Sequence, residues 1–263
     1  MTSRLVRRIL TVCAIAAAAL LGALQGNAQP PAAAGRPYTG PRTADGRPDL
    51  NGIWQVMNSA HWDLEPHSAD EGVPPGLGVV EGDTIPYQPS AAARKKDNYA
   101  NRAKLDPIHK CYLPGVPRIT YVPFPFQIAQ TPKYVAITYE YQHATRIIYT
   151  DGSQHAPPND FWMGDSRGRW DKDALVVDTT HFNDSTWFDM AGNFHSDALH
   201  VIERYTPLEA GHVMQYEATI EDPKVFTRPW RISMPIYRRA EKDVQLLDYD
   251  CVDFFWRRMQ PSR

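Results

Sequence analysis

Along ALHVIERYT (198–206) the side chains alternate with a period of two. Leu199, Val201, Glu203 and Tyr205 fall on one face of a strand, and Ala198, His200, Ile202, Arg204 and Thr206 on the other. Short alternating or apolar runs recur in YVAITYEYQ (134–142), TRIIYTD (145–151), RGRWD (167–171) and ALVVDTTHF (174–182). They continue in HVMQYEATIED (212–222), PWRISMPIYRR (229–239) and VQLLDYDCV (244–252), with turn residues such as Asp222-Pro223 between them. Eight strands in near-even succession predict an all-β fold. The expected form is an antiparallel meander that closes into a calycin- or lipocalin-like barrel and so removes its own edges. A β-sandwich is the alternative.

Upstream the pattern weakens. LNGIWQVM (50–57) reads as a first strand, and residues 61–87 are irregular and punctuated by Pro and Gly. One surface helix is predicted, with Ser90 as N-cap, AAARKKDNYANRAK as its body and Pro107 beyond its end. The Pro-dense stretch LPGVPRITYVPFPFQIAQTP (113–132) admits only edge strands or extended loop. Residues 29–48, rich in Pro, Ala and Gly, read as an extended tether. The remainder, 49–263, is expected to form a single barrel domain.

Residues 1–28 are set apart by chemistry. Arg4, Arg7 and Arg8 precede an apolar run from Ile9 to Leu24, and Gly26-Asn27-Ala28 then supplies small residues. That order is the pattern of a secretory signal peptide, with cleavage expected after Ala28. The apolar run is short for a membrane span, so no span is expected after cleavage. Cys13 sits at the start of the apolar run with Val12 before it, which argues against lipidation. The expected location is periplasmic or secreted. Of 28 basic residues the leader holds three arginines, leaving 25 against 30 acidic residues, a formal charge of −5. A mildly acidic chain has no electrostatic reason to seek nucleic acid. The two cysteines left are Cys111 and Cys251, and an oxidising compartment favours a bridge between them.

Candidate chemistry concentrates between His155 and Tyr205. No CxxC, HxH or HExxH spacing is present, and the histidines are scattered over different strands or turns. No metal and no cofactor is therefore expected, although a metal site assembled in three dimensions stays open. Ser166 in GDSRG meets the GxSxG expression, but a hairpin rather than a helix is expected after it, so a Gly-flanked turn is the better reading. Strand parity is more informative. It sends Glu203 inward, where an unpaired charge is costly. His195 precedes that strand, after the turn at Gly192-Asn193, and Asp165 and Arg167 enter another strand, from which they can supply a charge partner. A buried Glu–Arg pair that only holds the barrel together is the competing reading.

The chain also resembles a family of uncharacterised secreted bacterial proteins. The matching stretches are RTADGRPDLNGIWQ (42–55), IPYQPSAAARKKDN (85–98), KCYLPGVPR (110–118), PFPFQIAQTP (123–132) and RIIYTDGSQH (146–155). They continue through WMGDSRGRWDKDALVVDTT (162–180), FNDSTWFDMAGNFHSDALHVIERY (182–205) and TIEDPKVFTRPW (219–230). Lys172 and Ala174 stand where Gly and Thr are usual in that hairpin. The resemblance implies kinship over nearly the whole mature chain. It carries no activity and no catalytic residue.

The leading expectation is an exported barrel with a metal-free acid–base site acting on a small organic molecule, of lyase, hydratase or isomerase type. Glu203 and His195 are its expected acid and base, with His155, Asp165 and Arg167 in support. The alternative is a non-catalytic binder of a small apolar or aromatic ligand gripped by Trp162, Trp187 and Phe188. A structural domain without a small ligand is a third reading.

Overall fold

The computed structural model describes residues 38–208 and 210–251. The leader expected at 1–28 and the tether as far as residue 37 lie outside the described residues, as do residues 252–263. Nine strands form one closed barrel in chain order: β1 (Gly52–Val56), β2 (Phe126–Gln130), β3 (Tyr134–Tyr139), β4 (Thr145–Tyr149), β5 (Asp165–Asp171), β6 (Ala174–Thr180), β7 (His200–Leu208), β8 (Val213–Glu221) and β9 (Trp230–Arg238). The ring is closed by β9 against β1, through Trp54↔Arg238, Gln55↔Tyr237 and Val56↔Ile236. The expected barrel is therefore present and the sandwich is not.

Three strand-level expectations need correction. The meander is mixed rather than wholly antiparallel, because β4 and β5 run parallel. The chain leaves β4 at Tyr149 and re-enters the sheet at Asp165, a connection long enough to carry it back to the same end. The stretch 244–252 adds no strand within its described part. Closure of β9 on β1 leaves no edge to receive it, and Tyr249 makes only an isolated bridge to Tyr141. Finally, the Pro-dense stretch supplies β2, which is paired on both sides, with β1 and β3. Pro123, Pro125 and Pro132 all fall outside Phe126–Gln130, so no ladder N–H is lost.

The helix also begins differently. α1 is Pro89–Ala100, with Pro at its first position and Gln88 as the N-cap, so Ser90 lies inside the first turn and caps nothing. Short helices follow at Arg102–Leu105 (α2) and Arg118–Tyr121 (α3), with a 3-10 turn at Pro107–Lys110 between them. All four residues of α3 are buried, and Arg118 is held by a two-pronged pair with Asp106 at 2.8 and 2.9 Å. Residues 38–48, expected within the tether, pack on the barrel instead. Tyr38 is buried with its hydroxyl donating to Pro41 O at 3.0 Å, and Arg42 pairs with Asp173 at 2.8 Å.

Alternation decides what fills the barrel. In β7 and β8 every second residue is buried, and the inward set includes Val201, Glu203, Tyr205, Met214, Tyr216 and Ala218. Trp54, Phe126 and Tyr139 complete a dense aromatic interior. Cys111 and Cys251 form a disulfide across 140 residues, with Cα atoms 5.4 Å apart. It ties the C-terminal segment to the turn after Pro107–Lys110. Closing so long a loop restricts the unfolded chain by about 5 kcal/mol at most. Among the described residues no helix is long and apolar enough to cross a membrane.

Candidate functional site

Glu203 points inward as parity requires and is completely buried. Its partner is an arginine, but Arg146 of β4 rather than Arg167. Arg146 Nη1 donates to Glu203 Oε1 at 3.1 Å and Nη2 donates to Oε2. The guanidinium also reaches Ser166 Oγ at 3.0 Å and Thr179 Oγ1 at 2.9 Å. Tyr205 and Tyr216 donate their hydroxyls to Glu203 Oε1 at 2.8 and 2.9 Å. Burial, then the charge of Glu203, pushes both phenols well above their ordinary value, so they remain donors. Burial alone would lower Arg146, yet the adjacent carboxylate raises it well above its usual range. Both ends of the pair are thus sealed in, and every oxygen of Glu203 has a donor. Ser166 is the second residue of β5 and serves this network, so strand runs on where a hydrolase elbow needs a turn into a helix.

His195 lies apart from this network. It is buried, with Nδ1 2.8 Å from Ser196 O and Nε2 2.6 Å from Thr186 Oγ1. A carbonyl only accepts, so Nδ1 carries the proton and Nε2 accepts from the threonine hydroxyl. The neutral ring is fully satisfied and packs between Phe182 and Phe188. Burial lowers its pKa, and burial lowers that of His61 further. The hydrogen bonds of Glu203 and His195 therefore run to separate partners. Asp189, at the same end of the core, accepts from Leu64 N and from Asn193 N and Nδ2. Burial and the Asp63 carboxylate push it up to about 7.

The expected aromatic grip is also divided. Phe188 is in the core against Trp230 and Phe226, and Trp187 is buried beside Phe194. Trp162 packs on Tyr112 with ring centroids 5.0 Å apart.

The remaining residues meet on the outer wall of the barrel. His155, on the connection between β4 and β5, places Nδ1 2.8 Å from Asp165 Oδ2 and Nε2 3.2 Å from Asp178 Oδ1. Asp165 is also held by the N–H of Ala156 at 2.9 Å and by Arg167 Nη2 at 3.1 Å. Arg167 is fixed in turn by Gln154 O at 2.7 Å and by the face of Tyr149. The register explains the meeting. Arg167 pairs with Asp178 and Asp178 with Ile202, so Asp178 and His200 are diagonal neighbours on one face. His200 is directly opposite Glu221. Its Nε2 lies 3.1 Å from the same Asp178 Oδ1, and its Nδ1 3.3 Å from Glu221 Oε2. Beside this cluster opens a pocket of about 310 Å³ lined by Gln154, His155, Arg167, Arg169, Asp178 and Ile202, among others. His155, Asp165 and Arg167 therefore form one group, on the opposite side of the wall from Glu203.

Asp178, His200 and Glu221 escaped the sequence reading as site residues. Parity places His200 on the outer face, but which carboxylates flank it depends on the register of three strands. Comparison with protein-family models and with curated proteins found no match for this chain.

Two outcomes follow from the interior. Glu203→Gln keeps the shape but leaves the Arg146 charge buried without a counter-ion, and should cost about 3–5 kcal/mol in urea unfolding. A loss below about 1 kcal/mol would contradict a sealed pair. The second concerns acid. In the unfolded chain His195 takes a proton as pH falls through its ordinary 6.5, whereas the folded chain resists it. The unfolded state then binds more protons, so this stability is present above 6.5 and lost as pH drops below it. Asp189 acts oppositely, its contribution being lost as pH rises from 3.8 towards 7. Comparing urea midpoints at pH 7.5 and 5, His195→Gln should lose less on acidification than the wild type. Equal losses would show that His195 does not titrate with unfolding.

Proposed function

We propose that this is an extracytoplasmic enzyme whose working site is the outer-wall pocket around His155, where an imidazole–carboxylate set performs acid–base chemistry on a small organic molecule. The observation that carries the reading is the chain Asp165–His155–Asp178, which ends at the pocket. Asp165 is nearly buried and fixes the ring, a usual arrangement for an imidazole that exchanges protons. Asp178 and the Nε2 side of His155 sit at the solvent-facing end, where a substrate can reach them. Such a set suits lyase, hydratase or isomerase reactions, in which a proton leaves one atom of the substrate and is returned to another. Export is supported by the leader pattern, the disulfide and the resemblance to secreted proteins. A binder of apolar ligands gains no support, since Trp187 and Phe188 are spent on the core.

The test follows proton exchange directly. The protein is incubated in D2O with a panel of small hydroxy and oxo acids, and loss of substrate C–H signals is read by proton NMR. At least one member should exchange, and His155→Gln should slow it by about 10²–10⁴-fold while remaining folded. Exchange at the wild-type rate in His155→Gln would sink the assignment of the site, and no exchange with any member would count against the chemistry.

A further inference from the structure

Arg169 lines the outer-wall pocket, and proton transfer at His155 makes no use of it. It is one of four charged residues that β5 turns outward, after Asp165 and Arg167 and before Asp171. The other three are paired. Arg167 meets Asp165 at 3.1 Å, and Asp171 meets Arg204 of β7 at 2.8 Å. Arg169 is exposed, and among the described residues no hydrogen bond or ion pair holds its guanidinium. Register fixes where it stands. Arg169 is directly opposite Val176, and Arg167 directly opposite Asp178. Arg169 and Asp178 are therefore diagonal neighbours, with Cα atoms about 7–8 Å apart. The pocket thus has ends of opposite sign, Arg169 at one and Asp178 with its imidazoles at the other, and Val176 and Ile202 line it with apolar surface.

We propose that the substrate of this pocket is a small carboxylic acid bound as its anion, with the carboxylate on Arg169 and the neighbouring carbon facing His155 and Asp178. The inference rests on the pocket being the working site. A guanidinium offers parallel N–H groups that match both oxygens of a carboxylate, and Arg169 has them uncommitted. The opposite end fixes the direction of binding, because a carboxylate laid beside Asp178 would meet a like charge. The same contact serves the chemistry. When the base takes a proton from the carbon next to the carboxylate, the C–H electron pair stays with the substrate. It spreads onto the carboxylate oxygens as an enediolate, and Arg169 faces the atoms on which that charge grows. The pair then takes up a proton again. Return to the same carbon gives exchange with solvent, and return to another atom gives an isomer.

Binding is separated from chemistry with pivalate, which has a carboxylate but no C–H beside it. The full chain is titrated with pivalate and with its uncharged amide, and shifts at Arg169 and Val176 are followed in nitrogen-15 NMR spectra. Pivalate should bind and the amide should not. Arg169→Gln should weaken pivalate by about 10–100-fold, the scale of a lost charge-assisted hydrogen-bond pair. Arg169→Lys, which keeps the charge and loses the fork, should fall between. Lys96→Gln removes one positive charge from the exposed side of α1 and should change nothing. In the D2O experiment, Arg169→Gln should raise the half-saturating concentration of any acid that exchanges by a similar factor. Absence of pivalate binding, equal affinity in the wild type and Arg169→Gln, or equal affinity for pivalate and the amide overturns the inference. Pivalate binding that depends on Arg169, without exchange of any acid, leaves the carboxylate site standing and removes the acid–base reading. Exchange of amides as fast as of acids, unchanged in Arg169→Gln, does the reverse.

Discussion

The barrel is organised around one buried charge pair. Arg146 and Glu203 lie inside a closed ring of strands, where neither ion can be hydrated and each must find its full complement of partners. The partners come from Ser166 on β5, Thr179 on β6, Tyr205 on β7 and Tyr216 on β8. Each occupies an inward position of its strand. A slip of one residue in any of those strands would turn a partner out of the barrel and strand a charge. The pair therefore demands the observed register across half the ring.

What the interior fixes also sets the exterior. The strands that turn Ser166, Thr179 and Glu203 inward must turn Asp165, Arg167, Asp178 and His200 outward. The register that joins Val177 to Glu203 inside is the one that sets Asp178 beside His200 outside. The outer cluster is thus held by the core's own alignment, with the β4–β5 connection bringing His155 to it. That connection is long because β5 runs parallel to β4, so the departure from a simple meander is also what delivers the first imidazole.

Much of this could be read from the chain, and what could not has a common cause. Alternation in ALHVIERYT placed Glu203 inside and His200 outside, and the two cysteines left beyond the expected leader implied their bridge. Both are local or compositional statements. Choosing Arg146 over Arg167 as the counter-ion required more. TRIIYT is apolar on both faces, so Ile147 and Ile148 hide the parity of Arg146, and Arg167 lay nearer in sequence to the expected site. Asp178 and Glu221 reach the site through cross-strand register, which no single segment encodes. β2 and the segment at 244–251 were misread for a related reason. Whether a stretch becomes a strand in a closed barrel depends on whether a free edge remains for it, and closure of β9 on β1 decides that.

The central claim is that chemistry lies on the outer wall while the buried histidine is structural. Nitrogen-15 NMR of the imidazole rings reads this site by site, since each ring's tautomer and contacts set its two nitrogen shifts. On addition of a substrate identified by exchange, the resonances of His155 and His200 should move while those of His195 stay fixed in the Nδ1–H form. Movement of His195 with His155 and His200 unchanged would place the working site inside the barrel and contradict the account.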